Sequence, residues 1–500
     1  MNVAELLAIP ASMFPEQEAL VFEGRGFTYE RLAGMSGGMQ SWLAERGVSA
    51  GDVVAVLDTN SPALVAALYG STALGARFAP LNYRARAEEL RNMLGVIQPK
   101  LLLAGERYLG LAREVGAGQT MPLEGSVRDG DLLSAEVEDD APAILMFTSG
   151  TSADAKAAVL PHGSLTNFVF STTDGADGTD QGAMLLAAPL YHVAGLSALL
   201  AATFGGRRIV LMRQFDAGEW LRLASAQSVT HAFLVPTMLK QVLDQPSFQQ
   251  TDLSRLRVLS YGAAPMPLSL IRRAIDRLPV SVQFVNAFGQ TETTSTVTML
   301  GPEDHRLEGS PEEVETKLRR LRSIGAPLPG VDIRILDEAG SPLPPGEIGE
   351  IAIRSDHLMR GYYGDESPPA RDGFLWTRDL GWIDDDGYVY LAGRKSDLIM
   401  RGGENIAPDE IEAVLESHPD VEEAAAIGLP DEEWGERVAA IVVRAGGVSA
   451  EELVEFCRQR LASFKKPEMI FFVDELPRNG LGKVLRKDLR ARYASPLEVA

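Results

Sequence analysis

The segment DVVAVLDTNSPALVAALYGSTALGARFAP, residues 52–80, contains a short apolar run, a longer run rich in alanine and leucine, and a second short apolar run. We expect a strand at 52–57, a helix at 62–74 and another strand from 78, because about four to eight apolar residues between turn formers are typical of a buried strand. Repeated units of this kind predict largely parallel sheets covered by helices. The same order recurs, with strands at 209–212, 231–235, 257–261 and 282–286 and helices at 220–226 and 268–278.

The pattern changes after Gly325. Residues 331–336 and 348–354 alternate as strands do, around a turn rich in glycine and proline, and this predicts an antiparallel hairpin. From about residue 396 the chain reads as a smaller α+β region. Its expected elements are a helix at 409–417, a strand at 438–443 and a helix from 450 that is capped by Ser449 and Glu452.

The expected fold is therefore α/β, with two domains. A large N-terminal domain at 1–395 has parallel-rich βα sheets and a β-rich module at about 325–395. A small α+β C-terminal domain takes up residues 396–500. A chain of 500 residues is too long for a single core, which agrees with this division.

Composition narrows the function classes. Hydrophobic residues make up 45% and charged residues 23% of the chain, as in globular enzymes. The net charge of -22 argues against nucleic acids and anionic membranes as partners, because both attract a basic surface. A polyanionic substrate must then be held by a local site.

Cysteine content and the N-terminus bear on the compartment. Cys457 is the only cysteine, so an intrachain disulfide is excluded and a reducing environment is favoured. The first twenty residues lack the basic flank and long apolar segment of a signal peptide. Nowhere does the sequence approach the roughly 18 uninterrupted apolar residues of a membrane span. We expect a cytoplasmic enzyme.

The stretch TSGTSADAKAAV, residues 148–159, follows an apolar run and combines hydroxyls, a glycine and Lys156. Backbone amides, hydroxyls and one cation suit a polyphosphate. Taken alone the stretch is equally consistent with a surface loop, and it lacks the Walker pattern GxxxxGK[ST]. The pentapeptide FGQTE, residues 288–292, strengthens the first interpretation. Its Gly289 permits close backbone approach, Thr291 offers a hydroxyl, and the Glu292 carboxylate suits Mg²⁺.

Two further stretches carry charged groups suited to a nucleotide. Asp379 can accept hydrogen bonds from two ribose hydroxyls, with an ordinary turn residue as the alternative. The planar guanidinium of Arg394 can bind phosphate or ribose oxygens. Lys483 lies among turn formers in PRNGLGK, residues 477–483.

Seven motifs in one order resemble the acyl-adenylating superfamily of acyl-CoA synthetases, carrier-loading adenylation domains and luciferases. The resemblance covers nearly the whole chain. The motifs are TSGTS…K at 148–156, YGAAP at 261–265, FGQTE at 288–292, WTRDLG at 376–381, GRKSD at 393–397, RGGENI at 401–406 and NGLGK at 479–483.

The resemblance implies a two-step ligase whose small C-terminal domain is a mobile lid. A carboxylate attacks the α-phosphorus of ATP to give acyl-AMP and pyrophosphate, and the thiol of CoA then attacks the acyl carbonyl and releases AMP. ATP, Mg²⁺ and CoA are the implied cofactors. Lys483 would bridge the carboxylate and the α-phosphate, and Glu292 would be the metal ligand.

The resemblance also assigns site residues. The implied catalytic residues are Lys483, Glu292, Thr291 and His192. The implied ATP and AMP contacts are Thr148, Ser149, Gly150, Thr151, Ser152, Lys156, Gly262, Ala263, Ala264, Pro265, Asn286, Ala287, Phe288, Gly289, Asp379 and Arg394. The implied pantetheine tunnel comprises Gly402, Gly403 and Glu404, for which an ordinary turn is the alternative.

The sequence departs from the family pattern in two places. Alanine occupies positions 153, 155 and 157, where the family has further glycines and a proline, and this predicts a stiffer or differently shaped phosphate loop. Ser396 stands at the hinge position, where the family usually has Asp or Lys, while Asp397 beside it is kept. Hinges need no particular charge, so rotation is expected to survive.

The acyl pocket is expected to be roomy and neutral, because several of its implied walls are small and none is basic. An aryl, alicyclic or medium-chain aliphatic acid is favoured over a dicarboxylate or an amino acid. For His192 a structural role is an equal alternative to substrate contact. The implied walls are His192, Val193, Ala194, Phe233, Ala263, Ala287, Thr294 and Ser295.

Three functions stay open at this point. A stand-alone acid–CoA ligase is favoured, because the chain ends soon after Lys483 without a carrier domain. An enzyme that loads a carrier-protein pantetheine is the second, and a weakly ligating nucleotide-binding homologue is the third. A homodimer is compatible with each of them.

Overall fold

A computed structural model describes residues 1–116, 119–148, 155–365, 370–402, 404–431, 433–478 and 482–494, except for the side chain at 405. The helices are α1 (Glu5–Met13), α2 (Tyr29–Ala44), α3 (Pro62–Ala73), α4 (Ala87–Ile97), α5 (Leu109–Val115), α6 (His162–Thr172), α7 (Val193–Phe204), α8 (Ala217–Ala226), α9 (Pro236–Asp244), α10 (Leu268–Arg277), α11 (Pro302–His305), α12 (Pro311–Arg320), α13 (Pro408–Glu416), α14 (Ala450–Arg458) and α15 (Arg486–Tyr493). The strands are β1 (Glu18–Phe22), β2 (Arg25–Thr28), β3 (Val53–Leu57), β4 (Arg77–Pro80), β5 (Leu101–Ala104), β6 (Gln119–Pro122), β7 (Pro142–Phe147), β8 (Ala157–Pro161), β9 (Ala183–Leu186), β10 (Arg208–Leu211), β11 (His231–Leu234), β12 (Val258–Gly262), β13 (Gln283–Gln290), β14 (Ser295–Leu300), β15 (Ala326–Pro327), β16 (Asp332–Leu336), β17 (Gly349–Arg354), β18 (Gly361–Tyr362), β19 (Ala370–Arg371), β20 (Phe374–Ile383), β21 (Val389–Arg394), β22 (Ile399–Arg401), β23 (Glu404–Ile406), β24 (Val421–Asp431), β25 (Gly435–Arg444) and β26 (Met469–Val473).

Two large sheets form the N-terminal part. Within the described residues, one sheet has the strand order β15-β14-β13-β12-β11-β9-β10-β1-β2, and the other has the order β18-β8-β7-β4-β3-β5-β6. Their inner strands pair in parallel, for example β3 with β4 and β5, and β12 with β11 and β13. The prediction of parallel-rich βα sheets is confirmed.

The segment that opens at residue 52 explains how the layers pack. Successive side chains of β3 point to opposite faces, so Val54 and Val56 join the main core while Val53 and Leu57 join a second core. Helix α3 begins where the Ser61 hydroxyl accepts the backbone N–H of Leu64. Its residues 63–73 are buried on every side. Each fully buried Leu or Val side chain contributes about 1.5–3 kcal/mol to folding.

The predicted hairpin is present as β16 and β17, which pair antiparallel from Asp332 opposite Arg354 to Leu336 opposite Glu350. Strand β17 also pairs antiparallel with β20, and β20 pairs antiparallel with β21. Strand β18 is different, because it lies in this stretch of sequence but pairs antiparallel with β8 of the large sheet. This short strand ties the β-rich stretch to the sheet whose strand β8 follows Lys156, and β15 ties it to the other large sheet by pairing with β14.

The C-terminal part has its own sheet, in the order β23-β22-β25-β24 with β26 beside β25. It carries two apolar clusters, one with Ile399 and the other with Ile441 and Leu489, and both are separate from the two cores of the large sheets. The capping box predicted for α14 is confirmed, since the Ser449 N–H donates to the Glu452 carboxylate and the Glu452 N–H donates to the Ser449 hydroxyl. The boundary at residue 395 stays a prediction. Within the described stretches, no helix is long and apolar enough to cross a membrane.

Replacing Glu416 by glutamine should make the protein more heat-resistant at alkaline pH. Burial and then the charge of Glu412 raise the pKa of Glu416 from 4.5 to about 8, with Glu423 adding to the rise and Arg478 opposing it. A carboxyl group whose pKa is raised by folding stabilises the fold below pH 4.5, and this stabilisation is lost as the pH rises through about 8.

Glutamine keeps the carbonyl oxygen that can accept the Ala424 N–H but cannot ionise. We expect a melting temperature about 2–4 °C above that of the wild type at pH 9 and little difference at pH 5. Thermal melting at both pH values measures this, and an equal shift at both would contradict the assignment.

Candidate active site

The predicted phosphate loop connects β7 to β8. At the two ends of this connection, the backbone N–H of Thr148 donates to the carbonyl of Lys156 at 3.1 Å. Ala157 begins β8 and is fully buried opposite Phe147, so its methyl group belongs to the core. Outside the described residues lie Ser149, Gly150, Thr151, Ser152 and Ala153, and the expectations for them remain untested.

Lys156, Glu292 and Tyr362 come together beside this connection. The Tyr362 hydroxyl donates to Glu292 Oε1 at 2.8 Å. The ammonium of Lys156 lies 5.2 Å from the centre of the Tyr362 ring, within the range of a cation–π contact. Burial and then the charge of Glu292 raise the pKa of Tyr362, so its hydroxyl remains a donor. The sequence motifs predicted the first two residues and missed Tyr362.

The chemistry of Glu292 fits Mg²⁺. Among the described residues, no three His, Cys, Asp or Glu side chains form a group that could hold a metal ion. Mg²⁺ is usually bound by one or two carboxylates together with water and substrate phosphates, so a single carboxylate beside a phosphate loop is the expected donor set. The half-buried Glu292, with Thr291 before it, provides that set.

Asp379 is only 5% exposed and is held from two sides. Arg394 Nε donates to Oδ1 at 2.9 Å, and Gln290 donates to Oδ2. Burial raises the pKa of Asp379, and the nearby Arg394 charge opposes that rise. A carboxylate has about four acceptor positions, so lone pairs remain for ribose hydroxyls.

The residue before Asp379 has an unusual backbone. Arg378 has φ of 62°, a left-handed conformation that costs a non-glycine residue about 1–2 kcal/mol. The Glu350 carboxylate accepts the Arg378 N–H at 3.1 Å, and the Arg378 carbonyl accepts the N–H of Lys395 at 2.9 Å. These two hydrogen bonds fix the backbone just before Asp379. The second one also connects that backbone to Lys395, which immediately precedes the predicted hinge residues Ser396 and Asp397.

The residues expected around adenine lie at the ends of β12 and β13. Ala263 has φ of 64° and is exposed, Ala264 is half-buried and Pro265 is exposed. Asn286 donates to the Ser323 carbonyl at 3.3 Å. The half-buried Ala287 and Phe288 complete this group.

The two glycines in this region allow close approach of backbone. A Cβ at Gly262 would lie 2.1 Å from the Ala287 carbonyl oxygen. A Cβ at Gly289 would lie 1.8 Å from the Ser295 carbonyl oxygen. The close approach of strand β14 therefore requires glycine at position 289. This requirement is separate from the predicted close approach of a ligand.

His192 immediately precedes α7, and its ring lies 4.2 Å from that of Tyr191. Burial, and then the Arg84 charge, lower the pKa of His192 to about 3, so the imidazole is neutral at pH 7. The segment that leads to His192 is held by Asn60, whose side-chain N–H donates to the Ala188 carbonyl at 3.0 Å and whose side-chain oxygen accepts the Leu190 N–H at 2.9 Å. No sequence motif indicated Asn60.

The other predicted acyl-pocket residues lie on neighbouring elements, with Val193 and Ala194 on α7 and Phe233 on β11. The Ser295 hydroxyl bonds that of Ser197 at 2.9 Å. Thr294 is fully buried with φ of 60°, and its hydroxyl has no hydrogen-bond partner within the part of the chain that the structure describes.

Lys483 reaches the same region from the C-terminal part. Burial and then Arg394 lower the pKa of Lys483, while Asp397 and Asp379 oppose the shift, so all four groups share one electrostatic neighbourhood. Gly482 has φ of 78°, and a Cβ there would lie 2.6 Å from the Thr237 hydroxyl at the start of α9.

The C-terminal part makes a second contact with α9. Lys240, one turn beyond Thr237, pairs with Glu422 at 2.7 Å. Helix α9 is thus a docking surface for the part of the chain that carries Lys483, and the sequence patterns had not indicated it.

Of the predicted tunnel residues, Gly402 follows β22 and Glu404 begins β23. Gly402 has φ of 57°, and a Cβ there would lie 2.9 Å from the ring of Trp434. Glu404 pairs with Arg401 across the hairpin, and Gly403 lies outside the described residues. The turn by itself explains Gly402, so the tunnel stays a prediction.

Comparisons with known proteins agree with this arrangement. Residues 8–363 match the family described as AMP-binding enzyme, and residues 410–483 match the AMP-binding enzyme C-terminal domain. The chain is 34% identical to a feruloyl-CoA synthase of an Amycolatopsis species, over 97% of each chain. It is 33% identical to the fatty acid–acyl-carrier-protein ligase ScoC of Streptomyces coeruleorubidus, over 96% of this chain and 94% of that one.

A solved structure extends the likeness to the fold. The o-succinylbenzoate CoA synthetase of Bacillus subtilis, in complex with its acyl-adenylate intermediate, aligns with a TM-score of 0.84 and 32% identity over 97% of each chain. The same synthetase has been solved with ATP and magnesium ion. The resemblance that the seven motifs indicated is confirmed, and so is the α/β fold with a large N-terminal and a small C-terminal domain. This chain belongs to the AMP-binding enzyme family.

Proposed function

We propose that this chain is an acid–thiol ligase that converts a carboxylic acid into acyl-AMP with ATP and then into a CoA thioester, releasing AMP and pyrophosphate. The observation that carries the proposal is the convergence of Lys483, Asp379 and the Lys156–Tyr362–Glu292 group from distant parts of the chain. Each of these groups suits a different part of ATP and the acid.

In the first step a carboxylate oxygen bonds to the α-phosphorus of ATP while the bond to the pyrophosphate oxygen breaks. Lys483 neutralises charge between the carboxylate and the α-phosphate, and Lys156 faces the departing phosphates. Asp379, assisted by Arg394, orients the ribose. Glu292 would hold Mg²⁺, which would supply charge neutralisation on the pyrophosphate.

In the second step the CoA sulfur bonds to the acyl carbon and the bond to the AMP oxygen breaks. The neutral imidazole of His192 adds no charge to the acyl wall, so it favours an uncharged acyl group beside it. Gly402, Gly403 and Glu404 are the proposed entry for pantetheine. The C-terminal domain, residues 396–500, is proposed to rotate between the steps about Ser396 and Asp397.

The acid is proposed to be aryl, alicyclic or medium-chain aliphatic. The side chains of the proposed pocket walls are small or apolar. The hydrogen-bonded pair of Ser197 and Ser295 adds two uncharged hydroxyl groups. The relatives named above act on feruloyl, succinylbenzoate and fatty-acid groups, as their names state. Thr294, whose hydroxyl has no hydrogen-bond partner among the described residues, is a candidate contact for a polar substituent.

A carrier-protein pantetheine is the alternative acceptor, and the 33% identity to ScoC favours keeping it in the test. The proposed location is cytoplasmic, in keeping with the buried single thiol of Cys457. The oligomeric state, with a homodimer as the candidate, can be measured by light scattering.

The deciding experiment measures AMP release from ATP across a panel of carboxylic acids, with CoA, with holo-carrier protein and with neither acceptor. The proposal expects acid-dependent AMP release that CoA accelerates. Faster release with carrier protein than with CoA would identify the alternative acceptor. No AMP release with any acid would favour a weakly ligating nucleotide-binding protein and contradict the proposal.

A further inference from the structure

Tyr362 connects two groups that the sequence motifs place far apart. Its hydroxyl donates to Glu292 Oε1 at 2.8 Å, and its ring lies under the Lys156 ammonium at 5.2 Å. One side chain therefore contacts both the proposed metal ligand and the proposed phosphate-binding cation.

The backbone fixes the position of this tyrosine. Tyr362 pairs with Ala158 of β8, and the N–H of Tyr363 donates to the Ala157 carbonyl at 2.8 Å. Strand β8, which begins directly after Lys156, is thus hydrogen-bonded to the strand that carries Tyr362. Because Lys156 directly precedes a strand that is hydrogen-bonded to the strand of Tyr362, sheet geometry restricts the separation of their side chains.

Glu292 is held to the same segment through its backbone. The N–H of Met359, three residues before Tyr362, donates to the Glu292 carbonyl at 2.9 Å. The hydroxyl of Tyr362 then occupies one carboxylate oxygen and leaves Oε2 as the other acceptor. Backbone and side-chain bonds together restrict both the position and the rotation of Glu292.

We propose that Tyr362 is a positioning residue for the adenylation step, which orients the Glu292 carboxylate toward the metal and holds Lys156 at the phosphates. The inference rests on the proposed function. Its distinctive consequence is that loss of the hydroxyl weakens binding of metal–ATP but leaves binding of metal-free AMP unchanged. A general structural role for Tyr362 would weaken both.

The test replaces Tyr362 by phenylalanine, which keeps the ring and removes the hydroxyl. We expect the Mg²⁺ concentration for half-maximal acid-dependent pyrophosphate exchange to rise about tenfold, the order of magnitude for one hydrogen bond to a charged group. Calorimetry should show a similar loss of affinity for Mn²⁺–ATP, which needs no turnover, and an AMP affinity within about twofold of the wild type.

Tyr390→Phe is the matched control, because Tyr390 also donates to a carboxylate, Asp384 Oδ2 at 3.1 Å, away from this group. That variant should leave both affinities unchanged. In a Glu292→Gln background, Tyr362→Phe should have little further effect on Mn²⁺–ATP binding, because the two changes remove one interaction.

Equal losses of AMP and Mn²⁺–ATP affinity in Tyr362→Phe, or no loss of either, would overturn the inference. So would full additivity with Glu292→Gln. Failure of the proposed function looks different, since the wild-type protein would then show no acid-dependent exchange while its nucleotide affinities could still be measured.

Discussion

Replacing Lys483 by alanine should lower the rate of acid-dependent pyrophosphate exchange about 10³-fold, in the range found when a group aimed at transition-state charge is removed. The lysine is half-buried beside Arg394, Asp397 and Asp379, where water screens its charge less than at the open surface. The melting temperature should change little, because the proposed work of the ammonium lies in the reaction.

The two half-reactions separate this effect from general damage. Synthetic acyl-AMP presented with CoA should be converted to thioester by Lys483→Ala at a rate within about tenfold of the wild type, since the proposed role of the lysine ends with adenylation. Lys466→Ala, on the same C-terminal part, serves as a control and should leave both half-reactions intact. Exchange that survives in Lys483→Ala would overturn the mechanism.

The same lysine predicts a pH limit. Burial lowers the pKa of Lys483 below its ordinary 10.5, and the ammonium is the active form. Exchange by the wild-type enzyme should therefore decline as the pH rises through the lowered pKa, earlier than an exposed lysine would allow.

Replacing Asp379 by alanine should raise the KM for MgATP about 200-fold or more, because two hydrogen bonds to a charged acceptor contribute roughly 1.5–3 kcal/mol each. Asp379 is 5% exposed and already fixed by Arg394 and Gln290. Binding of the ribose therefore costs its side chain little further conformational entropy. AMP carries the same ribose, so its affinity should fall in parallel.

Calorimetry with AMP and initial rates with varied ATP measure these changes. Asp386→Ala is a suitable control, since Asp386 also accepts from an arginine, Arg320 at 2.9 Å, on the exposed surface. A loss of ATP affinity without any loss of AMP affinity would contradict the assignment of Asp379 to the ribose.

Local patterns predicted the elements well, because each strand and helix leaves a signature in a few adjacent residues. The segment at 52–80 became β3, α3 and β4 with boundaries shifted by only a residue or so. The order of strands within the sheets could not be predicted in this way. Strand β18 has only two residues, and its pairing with β8 depends on contacts just over two hundred positions away.

The candidate site shows the same division. Motifs identified Lys156, Glu292, Asp379 and Lys483, because charged residues among turn formers stand out in sequence. Tyr362 carried no such signal, since an aromatic residue in a short strand is ordinarily part of a core. Its role depends on the three-dimensional position of Glu292.

The described residues that flank Lys483 are held by their own part of the chain. Arg478 donates to the Gly482 carbonyl at 2.6 Å and is itself held by Glu423 of β24 at 2.8 Å, while the Leu485 N–H donates to the Pro477 carbonyl. The conformational entropy of these residues is therefore lost once, when the protein folds, and need not be lost again in every catalytic cycle. Lys483 would then move to each new ATP together with the whole proposed C-terminal domain. The rate of that domain motion should therefore fall as the solvent viscosity rises.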